Sequence, residues 1–139
     1  MFGMCPWVRA MSDFFLPDTN VYILYSRGNV AATNWFRATL NTGQRVGVCP
    51  VVIAECLAGA NPAERIGWRE IFDALVFWDI QPQDAEQSGI YRYDFARRGI
   101  QLALGDTLIA AVAKRVGATL VTNNVKDFPM TDIRVQAFP

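Results

Sequence analysis

The stretch Leu102-Ala-Leu-Gly-Asp-Thr-Leu-Ile-Ala-Ala-Val-Ala113 predicts a buried helix that begins at Gly105-Asp106-Thr107. Asp and Thr side chains accept hydrogen bonds from the free N–H groups of a first helical turn, and the helix dipole favours a carboxylate there. The apolar residues that follow recur at helical spacing: Leu108, Ile109, Val112, Ala113 and Val116. The pattern places the carboxylate of Asp106 at the start of an apolar helix, either as its N-cap or as a functional acid.

Short apolar segments alternate with helical segments along the rest of the chain. Strands are predicted at residues 14–17, 46–49, 76–80, 119–122 and 133–135, and helices between them include 31–40, 51–57, 63–75 and 82–98. Short strands that are apolar throughout are typical of a sheet covered on both faces. The sequence therefore predicts an α/β fold, a three-layer α/β/α sandwich with a mostly parallel sheet of four to five strands.

Composition indicates one globular domain. The 139 residues are 52% hydrophobic and 19% charged, which is enough to bury a core. We assign residues 12–139 to a single domain and residues 1–11 to an N-terminal arm. No apolar run reaches the roughly 18 residues needed to span a bilayer. The three cysteines, Cys5, Cys49 and Cys56, lack a C-x-x-C spacing, so we expect reduced thiols, a cytoplasmic location and no membrane partner.

The chain contains no histidine. This absence excludes Ser-His-Asp and Cys-His catalysis, histidine general bases and histidine metal sites. Any hydrolysis must therefore depend on carboxylates, together with a hard cation. The formal net charge is zero, from 13 basic and 13 acidic residues, so nucleic-acid binding would require a local cluster of basic residues.

Acidic side chains follow three of the predicted strands or begin a nearby helix. Asp18 comes directly after the first strand, Glu55 lies on the helix after the second among apolar neighbours that favour a sheltered position, and Asp106 starts its helix. Ligands of parallel α/β sheets bind beyond the carboxyl ends of the strands. Two carboxylates about 4 Å apart repel by about 4 kcal/mol at an effective dielectric constant near 20. A Mg²⁺ ion would remove that repulsion and could activate water for attack on a phosphate.

Four segments resemble, in order and spacing, the PIN-domain ribonucleases, and specifically the VapC-type toxins of type II toxin–antitoxin pairs. They are Leu16-Pro-Asp18-Thr-Asn20, Val52-Ile-Ala-Glu55, Gly105-Asp106-Thr-Leu-Ile-Ala-Ala111 and Val121-Thr-Asn-Asn124-Val-Lys-Asp127-Phe128. The resemblance extends from about residue 12 to residue 139, which leaves only the N-terminal arm outside it.

The resemblance implies a role for each matching residue. Asp18 and Asp106 would be the principal ligands of Mg²⁺, with Mn²⁺ as an alternative, and Glu55 would complete the catalytic acids. Asn20 would orient a carboxylate and line the substrate site. Many relatives carry a fourth acid where this chain has Asn124, which leaves open whether one metal ion binds or two. Asp127 could substitute for that acid, although we interpret it first as a cap near Phe128.

The resemblance also implies partners: a second copy of the chain in a homodimer, a cognate antitoxin whose C-terminal segment blocks the active site, and structured RNA such as transfer RNA. Arg97 and Arg98 are candidates for contacts with the RNA backbone, with Lys114, Arg115 and Lys126 as further cations and Asn124 as a further substrate-binding residue. Their alternative interpretation is an ordinary solvated surface.

Three functions remain open at this point. The first is a Mg²⁺-dependent endoribonuclease that acts as a toxin, in which metal-held water attacks the phosphodiester. The second is a subunit of an antitoxin-bound, DNA-binding repressor complex with weak or no nuclease activity. The third, a phosphatase with an Asp nucleophile in a D-x-D motif, ranks lowest because Asp18-Thr-Asn20 lacks the second acid.

Overall fold

A parallel β-sheet forms the centre of the computed structural model, which describes residues 14–138. The strands are β1 (Phe14–Pro17), β2 (Arg45–Val48), β3 (Val76–Phe77), β4 (Thr119–Thr122) and β5 (Val135–Ala137). Their order across the sheet is β3-β2-β1-β4-β5, and each neighbouring pair is parallel. The predicted N-terminal arm, residues 1–11, lies outside the described residues.

Helices cover the two faces of the sheet. They are α1 (Thr19–Ser26), α2 (Val30–Asn41), α3 (Pro50–Ala58), α4 (Pro62–Asp73), α5 (Pro82–Ala96) and α6 (Leu104–Val116), followed by a 3-10 turn at Val125–Asp127. This arrangement confirms the predicted three-layer α/β/α fold. No helix within residues 14–138 is both long and apolar enough to cross a membrane.

Most boundaries differ from the sequence prediction by one to three residues. Helix α6 begins at Leu104, with Ala103 as its N-cap, so Asp106 lies within the first turn and does not cap the helix. Strand β3 ends at Phe77 rather than residue 80, and the side chain of Asp79 instead accepts the N–H of Ile80 at 2.8 Å. Strand β5 lies two residues further along than predicted, because Val135 pairs with Leu120 of β4.

The core lies on both sides of β1 and β4. The side chains of Leu16, Leu120 and Val121 are completely buried. Asp18, the residue after β1, donates its backbone N–H to the carbonyl of Val121 at 2.9 Å. The two central strands therefore end side by side, and the residues that follow them lie at the same edge of the sheet.

Buried polar contacts fix α5 against α6. Arg115, near the end of α6, donates to both carboxylate oxygens of the buried Asp84, near the start of α5, at 3.0 and 2.9 Å. The side chain of Arg92, towards the end of α5, donates to the carbonyl of Leu102, just before α6, at 3.2 Å. The two helices are therefore antiparallel, and the C-terminus of α5 lies at the end of α6 that carries Asp106.

Candidate active site at the carboxyl ends of the strands

Asp18 links β1 to α1 and is only 6% exposed. Its Oδ1 accepts the N–H of Val21 at 3.2 Å and so caps α1, while its Oδ2 accepts the hydroxyl of Thr122 at 2.5 Å. Each carboxylate oxygen has two lone pairs, so these bonds leave capacity for a further ligand. The capping and functional interpretations of Asp18 are therefore compatible.

Glu55 projects from α3 towards the starts of α1 and α6. Thr19 donates its hydroxyl to Glu55 Oε1 at 2.5 Å. A methyl group placed on Gly105 of α6 would lie 2.9 Å from Glu55 Oε2, so a glycine at this position lets α6 approach the carboxylate. The expectation of a sheltered position is wrong, because Glu55 is exposed: α3 buries Cys56 and turns the neighbouring Glu55 outwards.

Asp106 lies half-buried in the first turn of α6. Burial raises the pKa of its carboxyl to about 6, and the negative charges of Asp127, Glu55 and Asp18 add to the effect. Burial also raises the pKa of Asp18, assisted by the charge of Asp127 and opposed by hydrogen bonds that include the one from Thr122. Glu55 contacts Thr19, the neighbour of Asp18, and Gly105, the neighbour of Asp106, so the structure brings the three predicted acids into one region.

Asn124 and Asp127 form a pair just beyond β4. The side-chain amide of Asn124 donates to Asp127 Oδ2 at 2.6 Å, and its backbone N–H donates to the hydroxyl of Thr122 at 2.9 Å. The N–H of Phe128 bonds to the carbonyl of Val125, so the expectation that Asp127 serves as a cap near Phe128 is wrong. The sequence does carry one indication of this contact, since Asp127 follows Asn124 by three residues in a polar loop.

The other predicted substrate residues lie at the surface. Asn20 is exposed in the first turn of α1, and its backbone N–H helps to lower the pKa of Asp18. Among the described residues, its side chain forms no hydrogen bond to a site carboxylate, so the orienting role predicted for it is not observed. Arg97 and Arg98 are exposed directly after α5, with their guanidinium groups 4.3 Å from the ring of Tyr93 and 4.1 Å from the ring of Phe95.

Two of the further cations lie elsewhere. Lys114 pairs with Asp132 at 3.0 Å and Arg115 with Asp84 at 2.9 Å, both near the end of α6 opposite Asp106. These ion pairs are structural, because they connect α6 to α5 and to the segment before β5. Lys126 is exposed in the 3-10 turn between Asn124 and Asp127, at the same edge as the acids.

The donor set of the site consists of oxygen atoms only, from Asp, Glu, Asn and Thr side chains. Such donors suit Mg²⁺ or Mn²⁺ and do not suit a soft metal. Within residues 14–138, no group of three or more acidic or cysteine side chains is arranged to hold a metal ion on its own. Mg²⁺ usually binds through one or two carboxylates and keeps several waters. The two carboxylates Asp18 and Asp106 therefore fit such an ion, with water completing its shell.

Comparisons with known proteins identify the family. The PIN domain family matches residues 15–132. The chain is 35% identical over 118 residues to "Ribonuclease VapC19" of Mycobacterium tuberculosis, which covers 83% of this chain and 92% of the relative. It is equally identical to "Ribonuclease VapC10" of the same organism, over 83% of this chain and 86% of the relative.

Solved structures show the same fold. A DNA-bound VapBC complex from Salmonella typhimurium contains a chain that matches with a TM-score of 0.77 and 26% identity, over 90% of this chain and 98% of that chain. A VapBC2 complex from Rickettsia felis bound to a promoter fragment matches with a TM-score of 0.79 and 20% identity, over 91% and 99% of the two chains. The protein described here therefore belongs to the PIN-domain family and, within it, to the VapC group.

Proposed function

We propose that this chain is a Mg²⁺-dependent endoribonuclease that acts as the toxin of a toxin–antitoxin pair. The observation that carries the proposal is the position of Glu55, which accepts the hydroxyl of Thr19 next to Asp18 and lies against Gly105 next to Asp106, so that the three acids lie at one edge of the sheet. The relatives of the chain named as VapC ribonucleases support the same activity.

Asp18 and Asp106 would hold the metal ion, with Mn²⁺ as an alternative to Mg²⁺. When bound, the ion would polarise a phosphate oxygen and lower the pKa of water for in-line attack. Glu55, fixed by the hydroxyl of Thr19, would either position the attacking water or bind the metal ion through a water molecule. Asp18 is held in place on both oxygens, so little reorganisation is needed when the substrate binds.

RNA would approach along the surface next to the start of α6. Arg97 and Arg98 lie at that end of the molecule, and their side chains are held over aromatic rings. Contacts from arginine to phosphate give affinity without sequence choice. Structured RNA such as transfer RNA remains the proposed substrate class.

A groove leads away from Glu55 and is the proposed binding site of the antitoxin. Its first part, of about 370 Å³, lies between α1, α3 and α4 and includes Glu55, Glu64, Gly67, Trp68 and Ile71. A second part of about 260 Å³ continues it towards α2 and shares Gly67 and Ile71. Similar chains occur in VapBC complexes, and a segment lying in this groove would reach the catalytic acids at Glu55.

A homodimer is also proposed, through the outer face of α5, the loop that follows it and the first residue of α6. Ile90, Tyr93, Ile100 and Leu104 are all exposed there, at 39–61% of their surface. Burying these side chains against a second copy would remove apolar surface from water.

Cys49 and Cys56 are buried free thiols, in keeping with the proposed cytoplasmic location.

The second candidate is a subunit of a DNA-bound repressor complex with weak or no nuclease activity. Two structural neighbours were solved as VapBC complexes with DNA, which favours this candidate. The two candidates differ in one measurable property, since only the nuclease would cut RNA when it is free of antitoxin.

The first prediction concerns the acids. Isolated protein incubated with total RNA and Mg²⁺ is expected to give discrete products that EDTA abolishes. Asp18→Asn and Asp106→Asn should each reduce the cleavage rate by a factor of about 100 or more, or about 3 kcal/mol, because they weaken the hold on the metal. Asn is also a good N-cap, so Asp18→Asn should keep α1 intact, as circular dichroism would check.

Asp73→Asn, at the exposed end of α4, is the matched control and should cut RNA at the wild-type rate. Cleavage by Asp106→Asn at the wild-type rate would contradict the assignment. A well-folded, antitoxin-free wild-type protein that yields no products would favour the repressor candidate.

The second prediction concerns stability without metal. The pKa of Asp106 in the folded chain, about 6, lies above its ordinary value of 3.8, so the folded state binds this proton more tightly than the unfolded state. The contribution of Asp106 to stability is therefore lost as pH rises through about 6. Asp106→Asn should raise the free energy of unfolding at neutral pH, on the order of 1 kcal/mol after solvent screening.

This gain should vanish near pH 4, where Asp106 is neutral in the folded state. Urea denaturation in EDTA at both pH values would measure it, with Asp73→Asn as the variant that shows no such difference. A lower stability of Asp106→Asn at neutral pH would contradict the raised pKa of Asp106 and the burial and neighbouring charges that cause it.

The third prediction concerns RNA binding. In an Asp106→Asn background that prevents cleavage, Arg97→Ala and Arg98→Ala should weaken RNA binding. Each should also reduce the slope of log K against log salt concentration by about 0.7 to 0.9 for every RNA phosphate that the arginine neutralises. Fluorescence anisotropy at several salt concentrations would measure both effects. Arg37→Ala, exposed on α2, should leave the slope unchanged, and an equal change in all three variants would contradict the assignment.

The fourth prediction concerns the groove. A side chain placed on Gly67 meets open space, so Gly67→Trp should fold normally and fill the groove. Binding of the cognate antitoxin, measured by calorimetry, should weaken at least tenfold, or about 1.4 kcal/mol. Arg69→Trp lies on the same helix outside the groove lining and should bind as wild type; unchanged binding by Gly67→Trp would place the antitoxin elsewhere.

A further inference from the structure

The two chain neighbours of Asp106 contact different helices. Gly105, the second residue of α6, faces Glu55 of α3, and a methyl group placed on it would lie 2.9 Å from Glu55 Oε2. Thr107 faces α5, where its Oγ1 lies 2.7 Å from the Oγ of Ser88 in a hydrogen bond. The first turn of α6 is therefore held between α3 and α5, and Asp106 lies one residue from each contact.

The carboxylate of Asp106 depends on this helix turn for its position. The carboxylates of Asp18 and Glu55 each accept a hydrogen bond from the hydroxyl of a threonine. Within residues 14–138, no other residue donates a hydrogen bond to the carboxylate of Asp106. A small shift or rotation of α6 would therefore move this carboxylate relative to the other two.

The hydrogen bond between Ser88 and Thr107 is shielded from water. The two side chains are 1% and 0% exposed. Thr107 Oγ1 also lies 3.0 Å from the carbonyl oxygen of Leu104 and 3.3 Å from that of Ala103. Because a hydroxyl has a single hydrogen, Thr107 donates either to a carbonyl or to Ser88, and in both cases the two hydroxyls remain bonded. Hydrogen bonds are directional and apolar packing is not, so this bond fixes the rotation of α6 against α5.

Gly105 lets the carboxylate of Glu55 lie against the first turn of α6. Glu55 Oε1 accepts the hydroxyl of Thr19 at 2.5 Å, and Glu55 Oε2 lies on the side of Gly105. A methyl group at this glycine would meet Val51 Cγ1 at an ordinary 3.4 Å but Glu55 Oε2 at only 2.9 Å. Since Oε2 is the end of a flexible side chain, an alanine at position 105 would displace the Glu55 carboxylate and leave the helix in place.

We propose that Gly105 and Thr107 are positioning residues, which fix the carboxylates of Asp106 and Glu55 relative to each other by holding the first turn of α6 against α3 and α5. This inference rests on the proposed function, because it concerns the geometry of the same acids. Both residues act through other side chains, so their substitution should change kcat rather than KM.

The first test is Gly105→Ala, assayed with RNA and by urea denaturation in EDTA. Gly105 has an ordinary helical backbone, and alanine is the better helix former, so the variant should unfold at a higher urea concentration than the wild type. Its kcat should nevertheless fall by about tenfold, since a displacement of about 1 Å can cost about a hundredfold. KM should stay near the wild-type value.

Asn34→Ala, at an exposed position within α2, is the matched control. It should also raise the urea midpoint, because alanine is again the better helix former, and it should leave kcat unchanged. In a Glu55→Ala background, Gly105→Ala should cost no further activity, because the carboxylate that its methyl group displaces is absent. Additive losses of kcat would overturn the positioning role of Gly105.

The second test replaces both hydroxyls, with Ser88→Ala and Thr107→Val in one protein. Its urea midpoint should stay close to that of the wild type, because no buried hydroxyl is left without a partner. Its kcat should fall by about tenfold, because the directional contact is lost. Thr107→Ser keeps the hydroxyl and should retain the wild-type kcat. A double variant with the wild-type kcat, or Thr107→Ser as slow as the double variant, would overturn the role of Thr107.

Failure of this inference can be distinguished from failure of the proposed function. If the wild type cuts RNA, Asp106→Asn does not, and Gly105→Ala cuts with the wild-type kcat, then the positioning inference alone is wrong. If the folded, antitoxin-free wild type cuts no RNA, the proposed function fails and this inference fails with it.

Discussion

Repulsion between carboxylates is the constraint on which this site depends. Parallel strands bring their carboxyl ends to one edge, and this sequence puts an acid, or a residue that holds one, at several of those ends. Burial raises the pKa of Asp106 to about 6, and the negative charges of Asp127, Glu55 and Asp18 add to that shift. A fold that gathers like charges at such a cost is poised to bind a cation.

Among residues 14–138, hydrogen bonds rather than salt bridges offset that cost. Asp18 receives a backbone N–H and the hydroxyl of Thr122, Glu55 receives the hydroxyl of Thr19, and Asp127 receives the amide of Asn124. The cations of α6, Lys114 and Arg115, pair with acids at the opposite end of that helix. The hydrogen bonds hold the acids in place, and because Lys114 and Arg115 are paired elsewhere, they do not neutralise the negative charge of these acids.

The fold could be predicted from sequence because its signals are local. Strands β1 and β4 have the predicted bounds, and the helices differ from prediction mainly at their ends. The site was harder to predict. The exposure of Glu55 depends on how α3 rotates over the sheet, and the position of Asp127 depends on a contact with Asn124 in an irregular loop. Neither is encoded by hydrophobic periodicity, since both follow from tertiary packing.

Glu55 connects the two surfaces that the proposed function requires. It accepts the hydroxyl of Thr19 next to the acids, and it also lines the groove between α1, α3 and α4. Because Glu55 is exposed, which the sequence did not indicate, its carboxylate can contact Thr19 and line the groove at the same time. A segment in the groove can therefore act on the acids directly, through a charge or hydrogen bond at Glu55, without a change in the sheet. Under the proposed function, inhibition by a bound partner would need no conformational switch, only occupation of a groove that ends at Glu55.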